Sequence, residues 1–349
     1  AAEDRLKVAR RGGADRSAFR SSVLAGPASL AGALREVPDA NIAIVSVAGR
    51  YAGLEAARAL KAGLHVMVFS DNVPVETELE LKTLAHERGL LVMGPDCGTA
   101  IINGVPLGFA NAVNRGEIGI VAASGTGLQE VSCVISNEGA GVSQAIGTGG
   151  RDVLGKIGGI TFMDALAALA DDDGTRALVL VSKPPDRKVL GRIRTAVEAC
   201  EKPVVSVFLG SKARALGDAV TLEEAALRAV ALWREQDPAG VMERLNSRDQ
   251  AIWDRTEELA RGLDGRRKYV RALMSGGTFA AEAQVIFSEL MADMSSNVPT
   301  AGADKLRNSR KSVRNTVVDL GADEFTVGRP HPMIDYSLRK ARILEEARD

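Results

Sequence analysis

Uninterrupted apolar runs of strand length, alternating with segments of helical length, constrain this chain more than any other feature. Asn41-Ile-Ala-Ile-Val-Ser-Val47, His65-Val-Met-Val-Phe69 and Leu90-Leu-Val-Met93 are such runs, with helical stretches expected at 52–62 and 76–88 between them. A strand wetted on one face alternates apolar with polar residues, so a continuous run implies a parallel strand covered on both faces. The β-α-β-α-β order then predicts a doubly wound sheet. A second series follows, with strands expected at 118–123, 142–147, 177–182 and 203–209 and helices at 127–138, 162–171 and 186–200. The fold class is therefore α/β, built on doubly wound parallel sheets with a smaller C-terminal α/β segment. Five regions are expected. Residues 1–38 form an Ala/Arg/Ser-rich helical or flexible segment, 39–112 a first sheet domain and 113–220 a second. Residues 221–267 form connecting helices and 268–349 the C-terminal segment, with a polar irregular loop at 292–315 and a strand from Asn315.

Composition removes several function classes. The 349 residues include 44 basic and 45 acidic side chains, a balance without the electrostatic footprint of a nucleic-acid binder. Aromatic residues make up 4%, too few for base-stacking platforms. No apolar run reaches membrane-spanning length and no signal-peptide core is visible, so neither membrane nor nucleic acid is an expected partner and a cytoplasmic setting is expected. Cys97, Cys133 and Cys200 show no paired spacing, which fits a reducing compartment, and no metal-ligand pattern is present.

Two segments repeat one device. An apolar strand runs through Ser124-Gly125-Thr126 into a helix, and another runs through Ser275-Gly276-Gly277-Thr278 into a second helix. Each threonine is followed four positions later by a glutamate, Glu130 and Glu282. A glycine turn at a helix start leaves backbone N–H groups and the positive end of the helix dipole facing an anion. Either loop alone is equally compatible with a Ser or Thr that only caps its helix. The repetition favours a phosphorylated species held between two helix N-termini.

Other loops belong at strand ends, where ligands bind in open α/β sheets. Gly94-Pro-Asp-Cys-Gly98 places Asp96, Cys97 and Gly98 in one such loop, and Gly147-Thr-Gly-Gly-Arg-Asp152 forms another. Cys97 is a nucleophile or, more commonly, a buried packing group. Of the three histidines, His65 opens a strand and His86 lies on a charged helix, so both read as structural or surface groups. His331 lies between Pro330 and Pro332, which fix the backbone beside Arg329 and Asp335. A held position suits a catalytic or ligand-binding group, and equally a rigid loop docked on a core.

Residues 39–210 resemble the α subunit of succinyl-CoA synthetase. The resemblance is carried by Gly94-Pro-Asp-Cys-Gly98, Ser124-Gly-Thr126 with Glu130, Gly147-Thr-Gly-Gly-Arg-Asp152 and Lys202-Pro-Val-Val-Ser206. Val66-Met-Val-Phe-Ser-Asp-Asn-Val73, Gly89-Leu-Leu-Val-Met-Gly-Pro-Asp-Cys-Gly-Thr99, Val181-Ser-Lys-Pro-Pro185 and Phe325-Thr-Val-Gly-Arg-Pro-His-Pro-Met-Ile-Asp335 resemble the FdrA proteins, a branch of the acyl-CoA-synthetase-like superfamily associated with purine breakdown. The resemblance implies a Rossmann-like CoA-binding-type domain over 39–112 and a flavodoxin-like, succinyl-CoA-synthetase-type domain over 113–220.

It also implies chemistry. In the synthetases a histidine after the Lys-Pro-Val-Val strand carries the phosphoryl group, but here Phe208-Leu-Gly-Ser-Lys-Ala-Arg-Ala-Leu-Gly-Asp218 contains none. The acidic residue that would orient it is replaced around Lys183-Pro184-Pro185, and residues 1–38 lack the strand and Gly-rich loop of a CoA site. The FdrA resemblance implies a component of a carbamoyltransferase that interconverts oxalurate plus phosphate with oxamate plus carbamoyl phosphate. In that reading Ser124, Gly125, Thr126, Ser275, Gly276, Gly277 and Thr278 hold phosphate. Arg151, Lys183 and Arg329 bind carboxylate or phosphate, and Asp152 orients a donor or a base. His331, Arg329 and Asp152 are the catalytic candidates; Asp96, Cys97, Gly98, Arg151 and Lys183 are the substrate- or cofactor-binding ones. Phosphate or carbamoyl phosphate is the favoured ligand over CoA or a nucleotide, and no metal is expected. Operon-encoded partner subunits or further copies of the chain are the expected partners. An acyl-CoA ligase and a non-catalytic scaffold or regulatory subunit are the alternatives.

Overall fold

The computed structural model describes residues 26–210, 219–263, 265, 268–300 and 302–348. Its three sheets are dominated by parallel pairing, as the continuous apolar runs require. Helix α1 (Leu30–Glu36), capped by the Ser29 hydroxyl, precedes the first sheet, and residues 1–25 of the expected N-terminal segment lie outside the described residues.

The first sheet joins β1 (Ile42–Val45), β2 (His65–Val68) and β3 (Val92–Met93), all parallel, in that order. Helices α2 (Gly49–Lys61) and α3 (Val75–Glu87) supply one layer. The small side chains Ala52, Ala56 and Ala59 let α2 lie close on Val66 and Val68. On the opposite face Met67 and Met93 join a core shared with Phe162 and Leu166 of the second unit. The two units are thus packed by a common apolar layer.

Between them lies a hairpin that the periodicity does not announce. Strands β4 (Thr99–Ile102) and β5 (Val105–Gly108) pair antiparallel, and β4 also pairs antiparallel with the later strand Val142–Gly147. Asn103 and Gly104 turn with φ of 51° and 78°, the left-handed geometry of a two-residue hairpin. These residues, expected in the first sheet, complete the edge of the second.

That second sheet runs β5-β4-β7-β6-β8-β9, with β6 (Arg115–Ala122), β7 (Val142–Gly147), β8 (Ala177–Ser182) and β9 (Val204–Phe208) parallel. Helix α4 (Gly125–Asn137) covers one face together with α7 (Leu222–Trp233). Helices α5 (Ile160–Asp171) and α6 (Arg187–Ala199) cover the other. Helix α7, expected only as a connector, buries Leu222, Ala225, Ala226, Ala229 and Val230 in the main core. The long helix α8 (Ala239–Ala260) packs outside it, burying Val241 and Leu245.

The C-terminal unit has its own parallel sheet in the order β10-β13-β11-β12, formed by β10 (Arg271–Met274), β11 (Met294–Ser296), β12 (Asp304–Lys305) and β13 (Asn315–Asp319). Helix α9 (Gly277–Ser288) packs on it, followed after β13 by α10 (Asp323–Thr326) and α11 (Ser337–Glu346). The stretch 292–315, expected to be irregular, contains β11 and β12. Both are too short and polar to register as apolar runs, and the register with β13 defines β11.

A buried ionic cluster fastens the first unit to the second. Lys82 of α3 is fully buried, and its ammonium contacts the Thr148 carbonyl at 2.8 Å, Asp152 Oδ1 at 2.6 Å and Glu78 Oε1 at 3.1 Å. Arg151 closes the cluster on Glu78 Oε2 at 2.9 Å. Asp152 Oδ2 in turn accepts the Phe162 N–H at 2.8 Å, capping the start of α5. Removing one partner of such a cluster strands a charge away from water, at a cost of about 3–5 kcal/mol. Lys82→Met is therefore expected to lower the unfolding free energy by an amount in that range, read as a fall in the denaturant midpoint at unchanged slope. An unchanged midpoint would show that the cluster contributes nothing to holding the two units together.

Candidate functional site

Loops at the C-terminal ends of strands from all three sheets converge, with Asp71 in electrostatic reach of both Asp96 and His331 and with Lys183 and Asp319 both beside Gly277. Loops after β2 and β3 bring Asp71 and Asp96, the turn after β6 brings Ser124, and the turn after β8 brings Lys183. The C-terminal unit supplies Ser275, Asp319 and His331.

The two Ser-Gly-Thr turns meet. Ser124 caps α4, its Oγ accepting the Gly127 N–H at 2.9 Å, and the same oxygen hydrogen-bonds the Thr278 hydroxyl in the first turn of α9. Close approach depends on glycine: a Cβ at Gly276 would lie 2.4 Å from Thr126 Cγ2. The starts differ in one respect. Helix α4 has its Ser124 cap, whereas α9 begins at Gly276 without any side-chain cap. The first-turn N–H groups of α9 therefore present the stronger anion-binding end. Ser275 Oγ, at the same turn, is buried without a hydrogen-bond partner.

Charged groups ring this turn. A Cβ at Gly277 would lie 2.7 Å from Lys183 Nζ and 2.9 Å from Asp319 Oδ2, so the ammonium and the carboxylate face each other over the helix start. A Cβ at Gly321 would lie 2.9 Å from His331 Nε2, 3.1 Å from Asp319 Oδ1 and 3.3 Å from the Ser275 carbonyl oxygen. Asp319 is buried and rigidly held. Asn297 accepts the Asp319 N–H at 2.8 Å and donates to its carbonyl at 2.9 Å, while Asp319 Oδ1 accepts the Gly321 N–H at 2.8 Å. Burial pushes the Asp319 carboxyl pKa up, opposed by the Gly321 hydrogen bond and the charges of Lys183 and His331. Burial likewise pushes His331 down, opposed by Asp319 and Asp71.

Asp96 forms a second wall. Asp96 is exposed at its surface, and desolvation by the protein around it together with Asp71 raises its pKa to about 6. Arg151 partly opposes the shift. Among the described residues no three His, Cys, Asp or Glu side chains are grouped to hold a metal ion, the acidic wall included.

Several candidates read from the sequence take other positions. Asp152 is fully buried with both oxygens engaged, one by Lys82 and one by the Phe162 N–H, so it is a structural anchor and not a catalytic group. Cys97 is buried with its Sγ 3.3 Å from the Gly147 carbonyl, and desolvation drives its pKa to about 12, which leaves no thiolate for nucleophilic attack. Gly98 serves the β4–β5 corner by accepting the Phe109 N–H at 2.7 Å. Arg151 pairs with Glu78 and donates to the Val73 carbonyl at 2.9 Å, and its charge lowers the pKa of Asp96. Arg329 is exposed on the loop before His331. Asp335, also exposed, accepts the Ser337 N–H at 2.9 Å at the start of α11. Asp319 and Asn297 escaped sequence reasoning. The signal for Asp319 was its place at the C-terminal end of the apolar run Asn315-Thr-Val-Val-Asp319.

No protein-family model matches the chain. It is 45% identical over 330 residues to the uncharacterized protein YahF of Escherichia coli (strain K12), a match covering 92% of this chain and 62% of that protein. It is 30% identical over 181 residues to the α subunit of ADP-forming succinate–CoA ligase from Methanothermobacter thermautotrophicus, covering 51% of this chain and 60% of that subunit. Half of the chain is thus homologous to succinate–CoA ligase α subunits, and the chain spans about 60% of the length of these relatives. Among solved structures it is similar to PH0766 from Pyrococcus horikoshii OT3, at 20% identity and a TM-score of 0.45, covering 56% of this chain and 48% of that one. It is also similar to ATP citrate lyase from Methanothrix soehngenii, at 17% identity and a TM-score of 0.46, covering 58% and 37%.

The raised pKa of Asp96 has a sign that can be checked. A carboxyl whose folded pKa lies above its unfolded value favours folding below about pH 4, and that contribution is lost as pH rises through about 6. Asp96→Asn keeps the residue type tolerant of the positive φ of 56° seen here. It is expected to raise the melting temperature at pH 8 and to leave it little changed near pH 4. A uniform shift at both pH values would contradict the assigned titration.

Proposed function

We propose that the cleft binds a phosphate-bearing acyl species and transfers the acyl group to or from phosphate, on a scaffold shared with succinate–CoA ligase α subunits. The carrying observation is that α4 and α9 begin in contact, with the α9 start uncapped and Ser275 Oγ unpartnered beside it. Backbone donors fixed in this way need no reorganisation as charge develops on a substrate oxygen. Lys183 adds a positive charge at the same point.

The FdrA resemblance narrows the acyl group to carbamoyl. A phosphate oxygen would attack the ureido carbonyl carbon of oxalurate, and the C–N bond to oxamate would break as the leaving nitrogen takes a proton. The products are carbamoyl phosphate and oxamate. The reaction proceeds without a phosphorylated enzyme, in keeping with the lack of histidine in the stretch that carries it in the synthetases. Partner subunits or further copies of the chain, in the cytoplasm, belong to this reading.

The homology to succinate–CoA ligase α subunits favours acyl-CoA ligation as the second reading. The two separate cleanly. Under the first, the protein breaks down oxalurate only when phosphate is present, alone or with its operon neighbours, and labelled ATP leaves no acid-stable or acid-labile phosphoprotein. Lys183→Gln is expected to weaken phosphate binding about tenfold, equivalent to about 1.4 kcal/mol. A stoichiometric CoA complex with a phosphohistidine formed from ATP would overturn the first reading in favour of the second.

A further inference from the structure

We propose that His331 works as a neutral imidazole whose Nε2–H donates to the substrate, and not as a nucleophile. The inference rests on the transfer reading above and assigns the proton to one nitrogen. His331 Nδ1 accepts the backbone N–H of Met333 at 3.2 Å, so its lone pair is occupied. An imidazole whose Nδ1 accepts carries its proton on Nε2. The reverse tautomer would set two N–H donors against each other at Nδ1.

The surroundings of Nε2 favour the same tautomer. It shares the space beside Gly321 with Asp319 Oδ1 and the Ser275 carbonyl oxygen, both of which are acceptors. Pro330 and Pro332 hold the backbone on either side, and Pro332 is buried. The charged groups facing the ring are Asp319 at the end of β13 and Asp71 in the loop after β2. Burial lowers the His331 pKa against their influence, which keeps the ring neutral near pH 7.

Attack through Nε2 on a phosphoryl or acyl centre would need a lone pair there, and this arrangement puts a proton in its place. The available chemistry is donation: as an acyl carbon becomes tetrahedral, the Nε2–H hydrogen-bonds the oxygen that gains charge, and the proton stays on the ring. Asp319, held by Asn297, is then a positioning residue whose carboxylate beside Nε2 keeps the imidazole proton on that nitrogen, at the point where substrate would meet the α9 start.

The protein's three histidines make the test direct. Nitrogen-15 spectra of the labelled chain, with the His331 signals assigned by their loss in His331→Gln, are expected to show a neutral ring at pH 7 with a proton-bearing Nε2 and a bare Nδ1. A ring protonated on Nδ1 alone, or positively charged at pH 7, would overturn the proposal. Asp319→Asn is expected to lower the His331 pKa further, a response that a purely structural Asp319 would not produce. In the phosphate-dependent reaction, His331→Gln keeps a donor and is expected to stay within about tenfold of wild type, whereas His331→Leu loses about 100-fold. Equal loss in both folded variants would contradict the donor role. Phosphorus-31 titration of the same samples reports phosphate binding separately, so failure of the tautomer assignment and failure of the transfer reading are distinguishable.

Discussion

Two helix N-termini press against each other where the second sheet unit meets the C-terminal unit, and the proposed site depends on that contact. The positive ends of two helix dipoles repel, so their approach needs an opposing negative group and small residues at the contact. Glycine at 276 supplies the clearance, since any side chain there would run into Thr126. The hydrogen bond between Ser124 and Thr278 ties the two starts together, and the Asp319 carboxylate lies over the α9 start. The hydroxyls satisfy each other, so an incoming anion meets the uncapped backbone of α9 and the orphan Ser275 hydroxyl first.

The rest of the fold serves to keep those starts in register. Helix α9 packs on α4, and Glu282, four positions after Thr278, accepts the Leu222 N–H at 2.7 Å to fasten α7 beside them. On the far side Lys82 ties α3 to the loop after β7, and Gly149 in that loop has φ of 87° with no room for a side chain against the Pro95 carbonyl. The loop bearing Asp96 is thereby pressed into the same cleft. The α9 start carries Lys183 and the Ser275 hydroxyl together with the Asp319 carboxylate, and the facing loops carry Asp71 and Asp96.

Much of this was legible in the amino-acid order, and the failures have physical causes. The parallel strands of the second sheet announce themselves because burial on both faces demands unbroken apolar runs, as in Ala177–Ser182. The twin helix starts were visible as a repeated Ser-Gly-Thr pattern, although only the folded chain could show them touching. The β4–β5 hairpin went unread despite Asn103-Gly104 between apolar neighbours, because it interrupts an otherwise regular β-α alternation. Strands β11 and β12 exist through pairing alone, with too few residues to carry a pattern. Asp152 and Asp319 both follow apolar strands, yet one is buried against Lys82, 70 positions away, and the other lines the cleft. Only long-range contacts separate those two fates.

The account therefore depends on phosphate binding at the joined helix starts. Calorimetric titration of wild type and Gly276→Ala with inorganic phosphate tests it most directly. The account predicts one site per chain in wild type, weakened at least about tenfold in the variant, because the added methyl displaces Thr126 and separates the starts. Equal affinity in the two proteins, or no binding to wild type, would contradict it.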